Sequence, residues 1–271
     1  MSAVPYARPH ACAGTELPPP MVVGVSEPLV SVIIPALNEA QNLPHVLAAL
    51  PAVDEVILVD GGSTDDTVEI ARRLMPGVRI VRQSRRGKGN ALACGFAAAT
   101  GDILVMIDAD GSTDPQEIPI FVQALRGGAD FAKGSRFEGA GGSADITWLR
   151  RTGNHGLSLL VNVLFGTTYS DLCYGYNAFW ARHLNVFALD STTRAEGRRW
   201  GDGFEIETLL NLRAARARLR VVEVPSFERR RLHGESHLNA FTDGLRVLRT
   251  IAREWSRGRR ASAQAAPERT R

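Results

Sequence analysis

The sequence is poor in the residues that build cross-linked or metal-stapled folds. Its 271 residues include three cysteines, Cys12, Cys94 and Cys173, too few and too widely spaced for a disulfide framework or a zinc knuckle. The six histidines form no HExxH or other metal-ligand spacing. No run of 18 apolar residues occurs, which excludes a membrane-spanning helix. Residues 1–27 lack the compact apolar centre of a secretory signal, so the expected location is the cytoplasm. Lysine is scarce as well: Lys88 and Lys133 are the only two among 32 basic residues. With 29 acidic residues the net charge is only +3, a balance that does not call for nucleic acid. Neither Gly61-Gly62-Ser63 nor Gly87-Lys88-Gly89 completes GxGxxG, and no P-loop occurs. The dinucleotide dehydrogenases and P-loop phosphotransferases therefore lose their main signatures.

What is present is a chain that can bury a core, 44% hydrophobic and 23% charged. Residues 1–28 carry six prolines and no sustained period, and are expected to be a flexible arm. Regular structure begins at Leu29–Ile34, an apolar run of strand length stopped by Pro35. A helix is expected over Ala40–Leu50, where Leu43, Val46, Leu47 and Leu50 recur at helical spacing. The cycle then repeats with strands at 56–59, 78–81 and 103–107, and helices from Thr64 to Leu74 and from Gly87 through Ala99. Strands apolar at successive positions are covered on both faces, so these belong to a mostly parallel sheet flanked by helices, an α/β fold. Later helices are expected over 115–125, 152–165, 204–214 and 238–255, with strands near 129–133 and 219–224. In the last helix Phe241, Leu245, Leu248, Ile251 and Trp255 step by three and four, with Arg246, Arg249 and Arg253 between them.

Three constellations can carry chemistry. Asp60 ends a parallel strand, ahead of Gly61-Gly62-Ser63-Thr64-Asp65, where ligand crevices of open α/β sheets lie; its carboxylate suits a base or ribose. Ser63 or Thr64 is expected to cap the following helix. Asp108 and Asp110 flank Ala109 at another strand end. Two carboxylates that close repel unless a cation lies between them, and hard oxygen ligands suit Mg2+ or Mn2+ with a substrate diphosphate. Asp114 before Pro115 supplies the local helix cap, so the pair is not needed for one. Arginine clusters form the third signal: Arg82, Arg85 and Arg86 with Lys88, then Arg136, then Arg229–Arg231, each after a strand. Guanidinium groups match phosphate bidentately.

Together these residues resemble the inverting family-2 glycosyltransferases of GT-A fold, and within them the dolichol-phosphate mannose synthase and polyprenyl-phosphate hexose synthase group. The resemblance runs from about residue 30 to residue 240. It is carried by Ile33–Glu39, Val59–Asp65, Gly87–Ala91, Asp108–Asp110, Gly134–Arg136, Ser170–Tyr176, Gly203–Glu207 and Arg231–Leu238. It implies a catalytic domain over 29–240, followed by an amphipathic helix over 241–255 and an Arg-rich disordered tail over 256–271.

The resemblance also implies roles. Pro35, Asn38, Glu39 and Asp60 form the nucleotide edge, with Lys88 and Gly89 over the base. Asp108 and Asp110 hold metal and donor sugar. Arg136, Arg231 and Ser236 hold the donor diphosphate or the acceptor phosphate, the acceptor first and with His237 beside them, and Asp171 and Glu207 line the sugar and acceptor side. The implied reaction moves a hexose from a UDP- or GDP-hexose to a polyprenyl phosphate, with Asp110, Asp171, Glu207 and Arg136 in the catalytic group. A phosphate acceptor is already ionised and needs positioning more than a base. A water-soluble hydroxyl acceptor would instead need a carboxylate base, Asp171 first and Glu207 second. His237 stands where relatives commonly carry lysine, which removes a permanent charge. The helices over 152–165 and 238–255, with the Arg-rich tail, suit peripheral contact with the inner face of the cell membrane. A non-catalytic sugar-nucleotide binder and a nucleotidyltransferase are the competing classes. Nucleotide binding without transfer would mark the first, and pyrophosphate release from a nucleoside triphosphate the second.

Overall fold

The apolar runs become strands because burying each large aliphatic side chain contributes about 1.5–3 kcal/mol and helices are available to cover both faces. The computed structural model describes residues 27–193, 197, 199–234 and 240–264. Their order is β1 (Val30–Ala36), α1 (Leu43–Ala48), β2 (Glu55–Asp60), α2 (Thr67–Leu74), β3 (Arg79–Arg82), α3 (Lys88–Ala98), β4 (Ile103–Met106), α4 (Ile118–Arg126) and β5 (Phe131–Ser135). There follow β6 (Gly142–Ser143), α5 (Trp148–Phe165), β7 (Asn177–Trp180), α6 (Leu184–Phe187), α7 (Ile206–Arg216), β8 (Val221–Pro225), β9 (Phe227–Glu228) and α8 (Ala240–Gln264).

Seven strands form one sheet in the order β3-β2-β1-β4-β7-β5-β8. All neighbours are parallel except β7, which runs against both β4 and β5. Successive side chains of a strand face opposite ways. Val32 and Ile34 accordingly join Leu43, Val46, Phe121 and Leu125 on one face. Ile33, Ile57 and Val59 join Leu92, Phe96, Leu209 and Leu210 on the other. The helix α3 lies close against the sheet: a Cβ on Gly95 would come within 2.4 Å of Ile33 Cγ2, so Gly95→Ala would force the two layers apart. A third cluster, Val161, Tyr169, Leu172, Leu212, Val247 and Ile251, joins α5, α7 and α8.

The structure departs from the sequence reading in several places, among them the tail expected to be disordered from 256, of which 256–264 are helical. The helix expected from Thr64 starts at Thr67, because Ser63, Thr64 and Asp65 are used to tie down the loop after β1. The strand β7 has no counterpart in that reading; it is four residues long, and short strands give periodicity little to act on. The helix α8 continues to Gln264, past the expected end at Trp255. Of its expected apolar stripe, Phe241, Leu245, Leu248 and Trp255 are exposed, while Ile251 is buried together with Val247, Thr250 and Glu254. Buried Glu254 anchors the helix to α7 through Arg213 and Arg216, and also pairs with Arg257 of its own helix.

Parallel strands bring their C-terminal ends to one rim. That rim collects Asn38 and Glu39 after β1, Asp60 on β2, Arg85 and Lys88 after β3, Asp108 and Asp110 after β4, and Arg136 after β5. Because β7 is reversed, Asp171–Tyr176 enter the sheet from this same rim. Most of the arm over 1–28 and the end of the chain, 265–271, lie outside the described residues, as do Glu235, Ser236 and His237.

Candidate active site

The loops after β1 and β2 are stitched together. Asn38, at φ 58°, donates its amide to Ser63 Oγ at 3.0 Å and accepts from the Thr64 amide at 2.8 Å. Asparagine is among the few residues that tolerate this left-handed conformation. Asp60 caps the turn by accepting from the Ser63 amide at 2.9 Å. Asp114 accepts from the Gln116 amide at 3.1 Å, so the local cap is indeed supplied without Asp108 or Asp110.

The two central carboxylates diverge to different cations. Lys88 Nζ lies 2.6 Å from Asp108 and 2.8 Å from Glu207. Arg231 lies 2.8 Å from Asp110 and 3.3 Å from Glu39, bridging the loops after β4 and β1. Ala109 between them is buried in the core. The segment bearing Arg231 runs along the Asp110 loop: the Leu232 amide donates to the Asp110 carbonyl at 3.1 Å and the Arg229 amide to the Ser112 carbonyl at 2.7 Å. A residue the sequence reading did not single out completes this corner. A Cβ on Gly175 would lie 3.0 Å from Lys88 Nζ, 3.2 Å from Glu207 Oε1 and 3.6 Å from Asp108 Oδ2, so glycine leaves the space above these three groups open.

Electrostatics follow from burial. Desolvation would depress Lys88, but Asp108 and Glu207 outweigh it and hold its proton tightly. Desolvation raises Glu207 above the ordinary carboxylate value, against the pull of Lys88. Glu39 is likewise raised by burial, opposed by Asn42 and Arg231.

Arg136 and Asp171 are placed differently from what the resemblance implies. Asp171 is 0% exposed. Its carboxylate receives Arg136 Nε at 2.7 Å, Nη2 at 2.9 Å and the Arg136 amide at 3.1 Å. Arg136 Nη1 donates to Glu228 at 3.0 and 3.2 Å, and its guanidinium lies 4.9 Å from the Tyr174 ring centre. Burial alone would raise Asp171, but Arg136 outweighs it and keeps the carboxyl below its usual range. A carboxylate so held does not reach an incoming hydroxyl, and an arginine serving two carboxylates offers little charge to a phosphate. Beneath them buried Lys133 donates to the carbonyls of Gly134 and Asp171 and lies 3.5 Å from Glu223. Glu228 and Lys133 were missed because neither sits in a motif; their partners come from distant strands.

Asp108 and Asp110 are two hard-oxygen donors at the open rim, and among the described residues no third His, Cys, Asp or Glu joins them into a metal cage. That donor set fits an ion such as Mg2+ or Mn2+, which takes its remaining ligands from phosphate oxygens and water.

Comparison with known proteins agrees with this architecture. Residues 31–187 match the model described as "Glycosyl transferase family 2". The chain is 34% identical over 215 residues to an uncharacterized glycosyltransferase of Mycobacterium tuberculosis, covering 79% of this chain and 92% of the relative. It is 34% identical over 227 residues to the undecaprenyl-phosphate mannosyltransferase of Micrococcus luteus, covering 80% and 90%. Among solved structures, glucosyl-3-phosphoglycerate synthase from Mycobacterium tuberculosis, in complex with Mn2+, UDP and glucosyl-3-phosphoglycerate, superposes with a TM-score of 0.63 at 24% identity, covering 84% of this chain and 80% of that one.

Proposed function

This chain belongs to glycosyl transferase family 2, and from that membership we propose that it moves a hexose, with inversion, from a UDP- or GDP-hexose to a polyprenyl phosphate at a membrane surface. The rim offers carboxylates and cations in matched pairs, Asp108 with Lys88 and Asp110 with Arg231. Asp108 and Asp110 would hold a divalent ion, which would leave the Lys88 ammonium and the Arg231 guanidinium to pair with phosphate oxygens of a donor diphosphate. The ion, when bound, neutralises charge on the departing nucleoside diphosphate. In this reading Arg231 serves the donor rather than the acceptor, Asn38, Glu39 and Asp60 hold the nucleoside, and Gly175 leaves room for the sugar. Ser236 and His237 remain proposed acceptor contacts.

The observation that carries the choice of a lipid acceptor is the outer surface of α5 and α8. Exposed on α5 are Trp148 (77%), Leu149, Leu159 (66%), Leu160 and Val163 (74%); on α8, packed beside it, Phe241, Leu245, Leu248 and Trp255. Exposed Arg151, Arg249 and Arg253 flank them, the pattern of a surface resting on anionic lipid. Among the described residues no helix is long and apolar enough to cross a membrane. An ionised phosphate acceptor needs no general base, consistent with the sealing of Asp171.

The test is a donor screen with Mn2+ or Mg2+, UDP- and GDP-hexoses, with and without a short polyprenyl phosphate. Release of nucleoside diphosphate that needs both metal and lipid phosphate is expected. Release with 3-phosphoglycerate or another soluble acceptor, and none with the lipid, would overturn the acceptor. Binding without transfer to any acceptor would overturn the enzyme. In the same preparation Leu159→Glu with Leu245→Glu should abolish sedimentation with anionic vesicles.

A further inference from the structure

The loop leading into Lys88 is held by a buried ion pair that the donor site itself does not use. Arg85, 5% exposed, grips Asp202, 3% exposed, with Nε and Nη2 each 2.9 Å from a carboxylate oxygen. Its remaining donors reach the carbonyls of Thr193 at 2.6 Å and Asp190 at 2.7 Å, and its own amide donates to Asn90 at 2.7 Å. Asp202 also accepts the Arg199 amide at 2.7 Å. All three guanidinium nitrogens therefore donate to the segment that precedes α7.

The two loops then meet backbone to backbone around Lys88. The Gly89 amide donates to the Asp202 carbonyl at 2.9 Å. A Cβ on Gly87 would lie 2.0 Å from that carbonyl oxygen, and one on Gly89 would lie 1.9 Å from the Gly201 carbonyl oxygen. Gly87 also takes φ 126°, which a side chain rarely adopts. Of Gly87, Lys88 and Gly89, only Lys88 carries a side chain in the seam where the two loops meet. Five residues beyond Asp202 the same segment delivers Glu207, whose carboxylate meets Lys88 Nζ.

We infer that Arg85 and Asp202 form a clasp that sets Lys88 in register with Glu207 and Asp108, making Arg85 a positioning residue for donor binding. The inference rests on the reading that Lys88 serves the donor. Buried ion pairs lose much of their Coulomb attraction to desolvation, so an apolar contact would join two loops at no less stability. What the guanidinium fork adds is a fixed geometry. A shift of one residue's width in this seam would part Lys88 from Asp108, since ion-pair strength falls off within a few ångströms.

The experiment is a double-mutant cycle on the intact protein with UDP-glucose and GDP-mannose, Mn2+ and a short polyprenyl phosphate. Arg85→Lys keeps the charge and loses the fork; Asp202→Asn keeps the shape and loses the charge. Either should raise the donor KM roughly tenfold, leave the acceptor KM within about twofold, and keep the cooperative melt. In a Lys88→Met background the same changes should raise donor KM by less than about twofold, because the residue they position is gone. Additive effects in the two backgrounds, equal rises in both KM values, or no rise at all would overturn the clasp while leaving the transferase reading intact. A wild-type protein that turns over neither donor would take down the transferase reading, and the clasp's role with it.

Discussion

Two ion-pair clusters lie along the same rim and behave differently. In the first, Lys88, Asp108, Glu207, Arg231, Asp110 and Glu39 form short links whose side chains range from 6% exposed at Glu207 to 30% at Asp108. In the second, Arg136 is held between fully buried Asp171 and Glu228, itself 10% exposed. Both hold carboxylates against cations, but in the proposed function it is the first that exchanges partners with an arriving diphosphate. The second fixes the chain ends of β5 and β9 and the approach to β7. Charge type alone therefore does not mark a working group; the difference lies in whether a ligand can replace one partner without leaving the other buried and unpaired.

Breaking the sealed cluster should have the largest effect on folding. Arg136→Ala strands two buried carboxylates and should cost about 3–5 kcal/mol, read as a lowered midpoint in urea unfolding. A change in acceptor KM at unaltered stability would instead return Arg136 to the substrate. In the open cluster the expected loss is catalytic. Asp110→Ala should reduce turnover by roughly 10²–10³-fold with little change in thermal midpoint, and full turnover in excess chelator would remove the metal from the scheme. Arg231→Ala should be milder, raising donor KM about tenfold with the acceptor KM less affected; the reverse pattern would restore it to the acceptor side.

The smallest effects are in pH dependence, and they have opposite signs. Asp171 has a depressed pKa in the folded state, so the unfolded chain takes up its proton first as pH falls. Its stabilisation is present above the unfolded value and disappears as pH drops through the folded one, below about pH 5. Asp171→Asn should flatten the acid limb of a plot of thermal midpoint against pH. Glu207 is raised, so its contribution is favourable at low pH and lost as pH rises through its folded pKa. Lys88→Met removes the group that pulls it back down and should steepen that loss on the rising side.

The sheet was legible in the sequence because Val56–Val59 and Ile103–Ile107 are continuous apolar runs, and Leu29–Ile34 is one broken only by Ser31, between glycine and proline punctuation. The rim residues Asn38, Glu39, Asp60, Asp108 and Asp110 were legible because they immediately follow those runs. Pairing was not. That Asp171 would be sealed by Arg136 depends on a contact 35 residues away in sequence, and that Arg85 would reach Asp202 on one 117 residues away. Hydrophobic periodicity indicates that a helix has an apolar side but not which neighbour covers it. In α8 four residues of the stripe, Phe241, Leu245, Leu248 and Trp255, lie outside, while Ile251 turns inward beside Glu254.

The reversed strand β7 has a consequence for how the chain is made. From β1 to β4 the sheet is complete within residues 30–106, yet the outer edge of β4 pairs with Trp180, Phe179, Ala178 and Asn177. During synthesis, some seventy residues must follow β4 before its partner emerges. Over that interval a fully apolar strand presents unpaired amides and carbonyls, a template for joining another nascent chain. Fragments ending before Asn177 should accordingly precipitate, and those ending between Trp180 and Val221 only pass the open edge on to β5, so the growing polypeptide becomes safe from its neighbours once Val221–Pro225 has paired.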